Sequence, residues 1–233
     1  MKKTLCTVFL VISAVFMSMC FADSAHAQTT EQYERAAAQG DARAQALLGL
    51  MYAKGDGVPQ NYAKARELLE KAAAQGGVDA QYNLGVMYYN GYGVRQDYAR
   101  AKELYEKAAV QGSADAQYNL GNMYAKGDGT PQNYASARKW FEKAAAQGGA
   151  AAQYNLGVMY YNGYGVRQDY AKMKELYEKA AAQGSADAQY NLGVVYYNGQ
   201  GVRQDYARAK EWYGRACDNG LQQGCDAYKQ LNR

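Results

Sequence analysis

Leu-Gly falls at positions 48-49, 84-85, 120-121, 156-157 and 192-193, so one 36-residue unit returns five times without an insertion. The stretch AQYNLGVMYYNGYGVRQDYA at 80–99 recurs letter for letter at 152–171. A catalytic centre is usually assembled once, from residues scattered over a fold. A period between roughly 20 and 50 residues instead specifies stacked supersecondary units, each too small to bury its own apolar face. Full units run 41–76, 77–112, 113–148, 149–184 and 185–220, with an N-terminal half-unit over 28–40 and a C-terminal capping helix over 221–233.

Within a unit the apolar residues keep a helical spacing twice over. In the second unit, helix A is expected at about 79–90, with Ala80, Leu84, Met87 and Tyr88 as its buried stripe. Helix B is expected at about 98–111, with Ala101, Leu104, Tyr105 and Ala108 facing that stripe. Gly91 and Gly93 close helix A. Asn61, Asp97, Asn133, Asp169 or Asp205 precedes each helix B, where a short side-chain oxygen accepts an orphan backbone N–H. Gly76, Gly112, Gly148, Gly184 and Gly220 fit the left-handed position that ends each helix B.

Helix A also carries an internal glycine: Gly49, Gly85, Gly121, Gly157 or Gly193. A mid-helix glycine costs about 1 kcal/mol relative to alanine. Its return predicts a crossing too close for a methyl group, with the alanines of helix B opposite. Met173 stands where other units have Ala65, Ala101, Ala137 and Ala209, which predicts local overpacking or a slight bend. Trp140 and Trp212 lie beside the helix B stripe and read as structural. Asp56 and Asp128 supply one carboxylate each to GDG loops; calcium takes six to eight oxygens, so these loops read as turns.

The unit A-x-x-x-LG-x-M-Y-x-x-G-x-G-V-x-Q-D-Y-A-x-A-x-x-x-Y-x-KAA-x-QG resembles the Sel1-like repeat, a relative of the tetratricopeptide repeat, over residues 30–233. The resemblance implies an all-α, right-handed superhelical solenoid of helix-turn-helix repeats acting as an interaction scaffold. MYAKGDG with PQNYA marks units one and three, whereas MYYNGYGVRQDYA marks units two and four, so Pro59 and Pro131 alternate along one edge with Arg95, Arg167 and Arg203.

In such solenoids helix A commonly lines the binding side, and the positions left over by its core stripe are the candidates. They are Tyr82, Asn83, Val86, Tyr89 and Asn90 in unit two, and Tyr118, Asn119, Asn122, Ala125 and Lys126 in unit three. Unit four gives Tyr154, Asn155, Val158, Tyr161 and Asn162, and unit five Tyr190, Asn191, Val194, Tyr197 and Asn198. Asparagine both donates to and accepts from a peptide backbone, and tyrosine adds apolar area with a hydroxyl at low entropy cost. These columns can therefore bind an extended segment. They can equally pack neighbouring units together, and both readings stand at this point. The Tyr88 column reads as core.

The first 27 residues have the layout of a secretory signal: Lys2 and Lys3, an apolar run from Leu5 to Ala22, and Ala25-His26-Ala27 before a cut. About 18 apolar residues nearly span a bilayer, so retention as an anchor is the alternative. Met19 before Cys20 is too large for a lipoprotein signal. Cleavage would remove the only histidine and leave Cys217 and Cys225 as the sole cysteines. In the periplasm or outside the cell these two would oxidise to a disulfide. The cleaved chain keeps 24 Lys plus Arg against 21 Asp plus Glu, too even a balance for nucleic acid or an anionic membrane. Pairs such as Glu67 with Lys71, Glu103 with Lys107 and Glu175 with Lys179 neutralise one another along solvated helix faces.

The expected protein is therefore an exported monomer without cofactor or metal, with a protein or peptide partner and no membrane span after cleavage. The resemblance adds a role in envelope function or host contact. It also adds two alternatives: β-lactam binding or slow hydrolysis, as in cysteine-rich Sel1-like relatives, and binding of envelope glycans. Against the β-lactam alternative, the cleaved chain has only Ser113, Ser136 and Ser185, no K-T-G motif and no histidine base.

Overall fold

The computed structural model describes residues 30–232. The secretory signal expected over 1–27 lies outside the described residues. These residues are helical throughout, with no strand among them, and form an all-α solenoid of helix pairs. Helix α1 covers 30–38 in its described part. Then follow α2 (Ala42–Lys54), α3 (Tyr62–Ala74), α4 (Val78–Asn90), α5 (Tyr98–Val110), α6 (Ala114–Lys126) and α7 (Tyr134–Ala146). The chain continues through α8 (Ala150–Asn162), α9 (Tyr170–Ala182), α10 (Ala186–Asn198), α11 (Tyr206–Asp218) and α12 (Gln222–Gln230). No described helix is long and apolar enough to cross a membrane.

Two compact units are present, one ending at Leu104 and one starting at Tyr105. In the first, α2 packs on α3 and α3 on α4. In the second, the pairs α6–α7, α8–α9 and α10–α11 each pack face to face, and α7 meets α8, α9 meets α10 and α11 meets α12. In each of these pairs, helices adjacent in sequence pack together, as short connections between them require.

The expected helix boundaries hold to within a residue because the capping chemistry is local. Asn61, Asp97, Asn133, Asp169 and Asp205 each accept a backbone N–H from the first turn of the following helix B at 2.9–3.1 Å. At the other end Gly148 takes φ +89°, the left-handed conformation that a side chain would resist. Gly163 does the same at the end of α8, with φ +74° and its N–H donating to the Met159 carbonyl. The GDG loops are turns of this kind, with Asp56 N–H donating to the Met51 carbonyl.

The internal glycines of helix A make a slot, but its occupant corrects the expectation. A Cβ at Gly121 would stand 2.5 Å from the Phe141 ring, and one at Gly157 would stand 2.5 Å from the Tyr177 ring. The large side chain of helix B fills the space, rather than its alanines. At Gly49 the group is Leu69, at 2.9 Å, and at Gly193 it is Tyr213. Phe141 and Tyr177 are correspondingly buried, as is Tyr213.

Met173 lies in the core. It is fully buried in one apolar cluster with Tyr177, Leu192 and Val195. Val195 occupies the position that is Met51, Met87, Met123 and Met159 elsewhere, so a larger residue on α9 is matched by a smaller one on α10. Val195 gives back part of the space that Met173 takes relative to alanine. The Tyr88 column is core at Tyr88 and Tyr196 but only half-buried at Tyr52, Tyr124 and Tyr160, where the rings reach the surface. Trp140 and Trp212 lie half-buried under Lys143 and Arg215.

Cys217 on α11 and Cys225 on α12 are bonded, with Cα atoms 4.5 Å apart. The bridge ties the last helix to the pair before it. Replacing both cysteines by serine is expected to cost about 2–3 kcal/mol through restored freedom of the unfolded loop. The measurement is the melting temperature, which should fall while affinity for any partner stays within a few fold.

Candidate functional site

The helix A positions that escape the core fall on one face of each helix. In the compact unit that starts at Tyr105, Tyr118, Asn119, Asn122 and Ala125 on α6, Tyr154, Asn155, Val158 and Tyr161 on α8, and Tyr190, Asn191 and Val194 on α10 are all half-buried. Lys126, Asn162, Tyr197 and Asn198 at the helix ends are exposed. In the compact unit that ends at Leu104, Tyr82, Asn83, Val86 and Tyr89 on α4 are half-buried, and Asn90 is exposed.

A different column holds the stack together, one that sequence reasoning missed. Gln45, Gln81, Gln117, Gln153 and Gln189 are the buried polar side chains of helix A. Gln117 Nε2 donates to the Ala109 carbonyl of the preceding helix B at 3.0 Å, while its Oε1 accepts from Gln147 Nε2 at 2.9 Å. Gln45 and Gln189 repeat the pattern, bonding to Ala37 and Ala181 and accepting from Gln75 and Asn219. A buried amide with both ends paired stiffens a stack; left unpaired it would destabilise it. The signal was in the sequence as Ala-Gln at the same place in all five units.

The asparagines behave less uniformly. Asn83, Asn90 and Asn162 donate to carbonyls four residues back on their own helices. Asn155 donates to Asn122 Oδ1 at 3.3 Å and Asn191 to the Tyr154 hydroxyl at 3.2 Å, each reaching the preceding helix A. The first tyrosine column packs on the slot rings: Tyr118 on Phe141, Tyr154 on Tyr177 and Tyr190 on Tyr213, with centroids 5.4–5.8 Å apart. The second meets the start of helix B edge-on, Tyr89 on Tyr98, Tyr161 on Tyr170 and Tyr197 on Tyr206. Loop residues Tyr92 and Tyr164, although exposed, stack on Tyr62 and Tyr134 of the repeat before.

One place gathers these columns into a cleft of about 250 Å³. Between α8 and α10 it is lined by Tyr154, Val158, Tyr161, Asn162, Tyr177, Asn191, Val194, Val195 and Gln200. No charged residue lines it. Gln200, which replaces the loop tyrosine, donates through Nε2 to the Tyr161 hydroxyl at 2.8 Å. Its Oε1 is buried without a partner. Two hollows of about 550 and 470 Å³ open on the loop edge instead, around Arg167 with Arg138 and Lys172, and around Arg203 with Lys174 and Arg208.

Burial, reinforced by nearby Tyr154, pushes the Tyr177 hydroxyl well above the ordinary phenol range. Burial, with Tyr190 and Tyr197 close by, pushes Tyr213 up to about 12. Both hydroxyls stay protonated in the folded protein while an unfolded tyrosine ionises near about 10. Below that pH both states hold the proton and the contribution to stability is full; it is lost as the pH rises through the folded value. The urea midpoint is expected to fall between about pH 10 and 12, and less steeply in Tyr213→Phe.

Ser136 and Lys139 stand in S-x-x-K spacing in the first turns of α7, where Ser136 N–H completes the Asn133 cap. Among the described residues no cluster of His, Cys, Asp and Glu could hold a metal ion.

The model of the Sel1 repeat matches residues 33–41, 42–77, 78–113, 114–149, 150–185 and 186–221. In structure the chain is similar to a Sel1 repeat protein from Oxalobacter formigenes, with 34% identity, a TM-score of 0.79, and 84% of this chain and 78% of that one covered. It is also similar to c5321, a protective antigen present in uropathogenic Escherichia coli strains displaying an SLR fold, with 34% identity and a TM-score of 0.56. That match covers 88% of this chain and 51% of the other, so this chain spans about half the antigen's length. A sel1 repeat protein from Klebsiella pneumoniae subsp. pneumoniae is 26% identical with a TM-score of 0.55, covering 88% of this chain and 99% of that one. No curated protein matches the chain in sequence.

Proposed function

Since the chain belongs to the Sel1 repeat family, we propose that it is an exported, non-enzymatic scaffold that binds an extended protein segment along the outer face of α6, α8 and α10. The observation that carries this reading is the α8–α10 cleft, which gathers Tyr154, Val158, Tyr161, Asn162, Asn191 and Val194 from the helix A columns. Concave sites with an apolar lining and a few polar groups are where ligands dock. The glutamine column already joins the repeats, so the half-buried face of helix A is not needed for that purpose alone.

Export is supported by the N-terminal sequence and by the Cys217–Cys225 bond, which persists in oxidising compartments. A role in envelope function or host contact draws support from the likeness to a protective antigen of a pathogen.

The test is retention of envelope protein on immobilised wild type and on Val158→Lys, with and without added peptidoglycan. Burying an ammonium in a neutral cleft is costly, so the variant should lose the retained protein while keeping its helical circular dichroism. Equal retention by both would contradict the reading. Retention that follows peptidoglycan instead would assign the face to glycans.

A further inference from the structure

The loop position held by Asp56 and Asp128 in units one and three and by Tyr92 and Tyr164 in units two and four is Gln200 in unit five, and Gln200 lines the cleft between units four and five. Tyr92 and Tyr164 stack on the tyrosine that opens the preceding helix B. At the equivalent position Gln200 turns in toward the helix A face and donates to Tyr161. Its oxygen is thereby buried with nothing to accept from. An acceptor left unpaired in a covered place is destabilising, and a ligand donor that pairs with it is favoured accordingly. Because the oxygen is covered and one hydrogen bond restrains the amide, Gln200 meets a donor by turning about its terminal bonds.

We propose that this cleft is the anchoring subsite of the bound segment, and that it takes an uncharged aromatic side chain tipped with a hydrogen-bond donor, as in tyrosine. This rests on the reading of the helix A face as a peptide site. The neutral lining excludes a charged side chain, whose burial there would find no counter-charge. Tyr154, Tyr161 and Tyr177 offer ring faces and edges and Val158 an aliphatic wall, which suits a flat apolar body. The volume of about 250 Å³ matches one large side chain rather than a length of chain. A donor at the ring's tip satisfies the Gln200 oxygen, as a phenol does and a phenyl group cannot. Asn191 and Asn162 commit their Nδ2 groups to the Tyr154 hydroxyl and the Val158 carbonyl, while the Gln200 oxygen is the covered acceptor that lacks a donor and so gains most from the tip.

The probes are two blocked peptides, acetyl-Gly-Gly-Tyr-Gly-Gly-amide and its phenylalanine counterpart, with N-acetylglucosamine as a third, titrated into isotope-labelled protein and followed by NMR. The expected result is saturable movement of the Gln200 side-chain amide and the Val158 and Val194 methyls with the tyrosine peptide, and binding at least about tenfold weaker with phenylalanine. In Gln200→Tyr, which restores the residue found at Tyr92 and Tyr164 and so keeps the fold, that difference should vanish. Equal binding of the two peptides at the cleft overturns the proposal. So does N-acetylglucosamine moving these resonances in place of the peptides. Peptide-induced shifts at Asn119, Asn122 and Asn155 with Gln200 silent overturn the subsite but leave the peptide face standing. No shift on α6, α8 or α10 with either peptide overturns both.

Discussion

Phe141→Ala is expected to lower stability by about 3–5 kcal/mol, the range for emptying a buried aromatic position. Phe141 is 2% exposed and its ring lies where a Cβ on Gly121 would be, so removing it leaves a hole on α7 facing a bare stretch of α6. The same geometry fixes the sign of a second change. In the wild type, Gly121→Ala forces a methyl against the ring, an overpacking cost of about 1–3 kcal/mol that outweighs the gain of about 1 kcal/mol in helix propensity. In the Phe141→Ala background the methyl has room, and Gly121→Ala should stabilise by about 1 kcal/mol. Urea unfolding of the four proteins closes the cycle. A Gly121→Ala effect of the same sign in both backgrounds would mean that the slot does not decide the glycine.

Gln117→Leu is expected to cost about 1–3 kcal/mol although leucine has similar bulk and more apolar surface. The substitution strips the Ala109 carbonyl of its donor in a buried place and takes from Gln147 one of its two acceptors, the Gly112 carbonyl remaining. Amide exchange adjacent to the α5–α6 turn should rise with it, since the bond spans that turn. A neutral or stabilising result would make the glutamine column incidental and return the task of joining repeats to the asparagines.

Much of this architecture could be read from the residues because its determinants are local. A fixed period sets the repeat, an Asx residue three positions before an N–H sets each helix B start, and a glycine with positive φ sets each end. The features that escaped depend on what lies opposite. Gly121 announced a close crossing, yet only the register between α6 and α7 shows that a ring rather than an alanine fills it. The column of Met173 taken alone does not show that the smaller Val195 on the next helix gives back part of its space. The five buried glutamines were overlooked because a polar residue beside an apolar stripe reads as solvent-facing until its two partners are located, one on the preceding helix B and one thirty residues ahead. The cleft was half visible: its tyrosine, asparagine and valine columns were chosen from the sequence, whereas its closure by Gln200 depends on a loop side chain turning inward.

We propose a division of helix A into a buried side that joins repeats through glutamine and ring packing and an outer side that serves a partner. Its most direct test is the unfolding free energy of Asn119→Ala with Asn155→Ala, measured beside Leu120→Ala. Leu120 is fully buried, and its truncation should cost about 2–5 kcal/mol. The asparagine pair forfeits one long hydrogen bond between half-buried groups, Asn155 to Asn122, so its cost should stay near or below about 1 kcal/mol. An asparagine pair that destabilises the protein as much as the leucine change would contradict the account, because the outer face would then be what holds the repeats together.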